Sequence, residues 1–151
     1  MNFRRALVYR IGVGKAIGLV FGLLGFFAMP LFLSDPSLTL RWGLLLWYTT
    51  LGAVVGVFGV FSYHPVLNMP MPWWLRGFWV GAWFNFVLAL LAYEQLSILV
   101  AAVMGEYSQY ASPFLLVIEG ALIGLLIDFA LTRWFGEGWG DTQTVVSLQR
   151  E

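Results

Sequence analysis

The stretch from Ser112 to Phe135, SPFLLVIEGALIGLLIDFALTRWF, constrains this chain more than any other. A helix of about 20 apolar residues, rising about 1.5 Å per residue, spans roughly 30 Å of hydrocarbon. This one carries two acids, Glu119 and Asp128, inside the apolar run. A charged group in lipid costs at least a few kcal/mol, so each acid is expected to face protein or water. The other segments are therefore read as what surrounds this helix.

Composition supports a membrane setting. The chain has 151 residues, 60% hydrophobic and 11% charged, with a mean hydropathy of +0.82. A soluble domain is about half apolar and about a quarter charged. The length allows one membrane domain and no sizeable soluble module. A formal net charge of +0 gives no argument for a nucleic-acid partner. The absence of cysteine removes disulfides, thiolate metal sites and a cysteine nucleophile. The first apolar run is too long for the core of a signal peptide and lacks a small-x-small cleavage site, so it reads as a retained span.

Four spans are predicted, at about 13–33, 40–61, 74–101 and 113–135, followed by a short polar tail over 136–151. The fold class is thus an all-α bundle of four transmembrane helices. Span one carries Gly14, Gly18, Gly22 and Gly25 on one stripe, and span two carries Gly52 and Gly56 on the face of Arg41 and Tyr48. Small residues four apart let helix backbones approach closely in a membrane, within one chain or between two copies. The loop between spans two and three holds Pro65, Pro70, Pro72 and the only histidine, His64. Its apolar residues, followed by Trp73 and Trp74, predict a segment at the membrane surface or against a partner. Span three is longer than a bilayer requires. Either it tilts through Met104, or it ends near Glu94 and continues along the interface.

Orientation follows from the basic residues. Four spans put both termini and the His64 loop on one side, with Arg4, Arg5, Arg10, Lys15, Arg76, Arg133 and Arg150, while only Arg41 lies opposite. The positive-inside rule then predicts cytoplasmic termini in a cell membrane, with a bacterial inner membrane as the expected location.

Spans three and four share a pattern. One reads Arg76-Gly77-x3-Gly81-x3-Asn85 and the other Glu119-Gly120-x3-Gly124-x3-Asp128, so each ridge of two glycines ends on a polar residue. The match is compatible with an internal repeat. Counted from the Arg76 and Arg133 edge, Asp128 lies about 8 Å deep, Asn85 about 13 Å, Glu119 about 21 Å and Glu94 about 27 Å. Two groupings are sterically open: Arg41 with Glu94 and Glu119, and Arg76 with Asp128 and His64. Acids inside spans mark ion paths and proton relays, or else charge pairs that orient the bundle.

No catalytic motif is present: there is no Gly-x-Ser-x-Gly, Walker A loop or His-Glu-x-x-His. No metal or cofactor is expected, and paired histidine ligation of haem is excluded by the single histidine. Three functions remain: an interaction or accessory subunit acting through glycine-lined faces, a small oligomeric transporter or channel using the carboxylates, or a membrane enzyme on lipid. The expected partners are the bilayer and another membrane protein or a second copy.

Overall fold

The structure, a computed structural model, describes residues 3–61 and 71–136. The loop with His64, and the tail beyond Gly136, lie outside the described residues. The elements are α1 (Phe3–Phe32), α2 (Leu38–Phe58), α3 (Trp73–Leu91), α4 (Tyr93–Met104) and α5 (Leu115–Phe135). A 3-10 segment, Gly105–Tyr110, links α4 to α5. Among the described residues, α1 from Leu7 to Phe32, α2, α3 and α5 are long and apolar enough to cross a membrane.

The helices pair as two antiparallel hairpins, α1 with α2 and α3 with α5. Glycine makes both pairings possible. A Cβ on Gly14 would strike the Gly52 carbonyl, and one on Gly18 the Tyr48 carbonyl; on Gly22 it would stand 2.7 Å from the Leu45 oxygen. A Cβ on Gly56 would stand 2.7 Å from the Arg10 oxygen. In the second hairpin Gly77 and Gly81 lie back to back with Gly124 and Gly120. Helix backbones at this range gain dispersion and weak Cα–H···O contacts without any help from water. The matching ridges of α3 and α5 therefore face each other in one chain.

The hairpins meet over an apolar core in which Leu51 and Val55 of α2 and Ile127 and Leu131 of α5 have no exposure. The outer surface is apolar as well. Leu31, Trp79, Trp83, Leu122, Leu126 and Phe129 point outward. A surface of this kind is matched by lipid, not by water.

Two boundaries differ from the sequence expectation. Helix α1 begins about ten residues before the apolar run, so Arg10 lies within it. The run 74–101 is not one span. Helix α3 stops at Leu91, and Ala92 leaves the helical region with φ −122° and ψ 35°. The 12 residues of α4 reach only about 18 Å, too little to cross. Their role is burial: Leu96 and Val100 pack against α1 and the core near the α1–α2 loop.

Candidate functional site

The polar residues of the spans form two clusters, one at each end; Arg10, Arg76, Asp128, Asn85 and Tyr48 are buried in them, whereas Glu119 is exposed. The first lies where α1 and α3 start and α2 and α5 end. Asp128 extends the Gly120–Gly124 ridge and is fully buried. Its Oδ1 accepts from Arg10 Nη2 at 3.1 Å and its Oδ2 from Arg76 Nε at 3.4 Å. Thr132 Oγ1 lies one turn on, 3.4 Å from Oδ1. Both arginines are 1% exposed.

Both guanidinium groups also donate to backbone carbonyls. Arg10 Nη1 donates to the Gly136 carbonyl at 2.7 Å and lies 3.4 Å from that of Leu131, at the end of α5. Arg76 Nη1 donates to the carbonyls of Phe61 at 3.1 Å and Met71 at 2.9 Å, just after α2 and just before α3. Carbonyls at helix C-termini lack an intrahelical donor and carry partial negative charge, which suits a cation. This cluster ties three helices together by charge.

The second cluster lies nearer the α4 end. Asn85, fully buried on α3, donates through Nδ2 to the Leu116 carbonyl at 2.8 Å and to the Tyr48 hydroxyl oxygen at 3.2 Å. Asn85 thus links α3 to α2 through Tyr48 and to α5 through the Leu116 carbonyl, and Glu119 stands beside Tyr48 on the wall of one cavity. Glu119 opens into a cavity of about 410 Å³. Met29 of α1, Leu44 and Tyr48 of α2, and Leu96 and Val100 of α4 form its walls. Among the described residues Glu119 is the only charged side chain lining it.

The grouping of Arg41, Glu94 and Glu119 that the sequence allows does not occur. Proline explains Arg41. Pro30 lies in the last turn of α1 and has no N–H, so the carbonyl of Phe26, four residues earlier, loses its helical donor. Arg41 Nε fills that place at 2.9 Å, with its guanidinium carbon 4.1 Å above the Phe26 ring. The cation is thereby committed to a backbone oxygen. Glu94 is exposed in the first turn of α4, where its carboxylate favours the positive end of the helix dipole, and its carbonyl accepts from Ser97 Oγ at 2.7 Å. It faces neither cluster. His64 lies outside the described residues.

Arg76 with Asp128 is the pairing expected from sequence. Two other partners escaped that reading. Arg10 lay ahead of the assumed span, yet it is four residues before Gly14 and so in register with the stripe 14–18–22. Tyr48 is likewise four residues before Gly52. A polar residue in register with a glycine ridge was the signal for both. Among the described residues no three of His, Asp and Glu come close enough to hold a metal. Comparison with protein-family models, with curated proteins and with solved structures gave no match.

Proposed function

We propose that this small integral membrane protein binds an apolar solute between α1, α2, α4 and α5 and carries it through the bilayer. One observation carries the reading: a cavity of about 410 Å³ with apolar walls converges on one carboxylate that has no ion-pair partner among the described residues. Pockets of about 300–1,000 Å³ with apolar walls and a few placed polar groups are the usual form of small-molecule sites. An acid inside a span is a functional candidate by default. Four spans give one chain a cavity more readily than an enclosed path, so a second copy is the partner we infer for translocation. The glycine faces offer less to an interaction-subunit role, because this chain's own helices occupy them.

The orientation we infer is cytoplasmic at the Arg10–Asp128 end. Arg4, Arg5, Lys15 and Arg133 belong to that end besides the two buried arginines, whereas Arg41 alone belongs to the other.

The test is retention of a neutral fluorescent probe, N-phenyl-1-naphthylamine, by the protein in nanodiscs over empty nanodiscs. Wild type should show saturable excess retention. Val100→Trp fills the cavity from α4 and should abolish it while the thermal transition persists. Equal retention by the two proteins, or none above empty discs, would refute the cavity reading.

A further inference from the structure

The cavity walls say which solutes can enter, and Glu119 says which charge they bring. From α1 and α4 the cavity receives no titratable side chain; α2 supplies Tyr48 and α5 supplies Glu119. Asn85 of α3 stands behind Tyr48 and carries no charge. The one basic residue at this end, Arg41, is held by the Phe26 carbonyl and ring. Nothing within reach on the described elements balances the carboxylate.

We infer that the solute is an organic cation with bulky apolar substituents, seated on the Glu119 carboxylate and exchanging there with a proton. The inference rests on the cavity reading above. An anion would find no counter-charge on the cavity walls. A small inorganic cation would need several oxygen ligands to replace its hydration shell, and the lining side chains offer only those of Glu119 and Tyr48. An organic cation needs a counter-charge and apolar walls, and Phe32 and Tyr48 add aromatic rings, which attract such ions.

The carboxylate is placed to take this ligand. A carboxylate has two oxygens and about four acceptor sites. Tyr48 stands beside it on the cavity wall, its hydroxyl oxygen held by Asn85, and the acceptor sites of the carboxylate open to the cavity. In the empty cavity a proton on the carboxyl is what makes the site neutral. When the cation arrives that proton leaves to water, so one positive charge replaces one and the bilayer holds no extra charge.

The experiment compares two probes of one shape and opposite charge, radiolabelled tetraphenylphosphonium and tetraphenylborate, on the protein in nanodiscs by equilibrium dialysis against empty discs. Wild type should bind the phosphonium, and Glu119→Gln should weaken that binding about ten-fold or more, equivalent to about 1.4 kcal/mol. Glu119→Asp should recover part of the loss. Tetraphenylborate affinity should stay equal or rise in Glu119→Gln. On wild type alone, lowering the pH should weaken phosphonium binding and leave borate binding equal or stronger, which keeps the test open should the variants fail to assemble. Equal affinity for the two probes, or phosphonium binding insensitive to both pH and Glu119→Gln, would overturn the cation assignment. If the neutral probe still binds in a Val100-dependent way, the cavity reading survives that failure; if it does not, both fall.

Discussion

Replacing Asp128 with Asn tests the charge cluster where three helices converge. The substitution keeps the shape of the side chain and removes one negative charge. In the native bundle that charge faces Arg10 at 3.1 Å and Arg76 at 3.4 Å, and all three groups are buried. After substitution both guanidinium groups lose the carboxylate they share. The amide offers one oxygen where the carboxylate offered two, and its NH₂ turns a donor toward a donor. Removing one partner from a buried ion pair costs about 3–5 kcal/mol, because the remaining charge is stranded away from water. Asp128 meets both arginines, so a loss within that range is expected.

The assay is unfolding in mixed micelles by titration with sodium dodecyl sulfate, followed by circular dichroism. Arg76→Gln and the double variant Arg76→Gln/Asp128→Asn complete a thermodynamic cycle. The double variant should be less destabilised than the sum of the single ones by about 1–3 kcal/mol, as for residues in one network. A loss below about 1 kcal/mol for Asp128→Asn would refute the argument, since ordinary surface substitutions reach about 0.5 kcal/mol. Additivity of the two single losses would refute it as well.

Three further outcomes are expected. Gly18→Leu puts a side chain against the Tyr48 carbonyl, a backbone atom that cannot rotate away, and should cost more than about 3 kcal/mol, where a substitution in a core that can relax costs about 1–3 kcal/mol; unchanged unfolding would mean that α1 and α2 are not in close contact. Arg41→Gln should lower stability by about 1–3 kcal/mol by leaving the Phe26 carbonyl without its charged donor, and adding Pro30→Ala should recover much of that by restoring a helical N–H; no recovery would disconnect Arg41 from Pro30. A reporter fused after Glu151 should be active only in the cytoplasm and one inserted at Gln109 only outside, and the reverse pattern would overturn the orientation we infer.

Much of the bundle was legible in the chain because membranes make few demands and make them strictly. Apolar length located the spans, and glycines four apart located the contact faces, as Gly14–Gly52 and Gly81–Gly120 illustrate. The break at Ala92 was legible only in part: Glu94 and Gln95 interrupt the apolar run and left open an end near Glu94, but neither glycine nor proline marks the residue where the helix stops. What ends α3 there is tertiary: Leu96 and Val100 find burial only if the chain turns. The fate of Arg41 was legible in principle. Pro30 frees the carbonyl at Phe26, and a cation beginning the next helix is placed to take it. Pairing Arg41 with an acid by charge alone overlooked that stronger local claim. Which hairpin meets which, and hence that Tyr48 would face Glu119, needs the packed structure, because both ridges are equally good partners from sequence.

The two polar clusters differ in a way that bears on function. At the Arg10 end the three buried charges have a structural use: Asp128 binds two arginines, and each arginine also meets backbone carbonyls. Exchanging charge there would dismantle the joint between helices. At the α4 end the contacts that Glu119 makes within the chain need no charge. The Tyr48 hydroxyl could donate to the amide oxygen of a glutamine in the same place. A charge in a span carries an energetic penalty of a few kcal/mol, and Arg41, the basic residue in the first turn of α2, is engaged by the Phe26 carbonyl. The property of Glu119 that no intrachain contact uses is therefore its capacity to hold and release a unit charge, and the cavity is the place to which that capacity is presented.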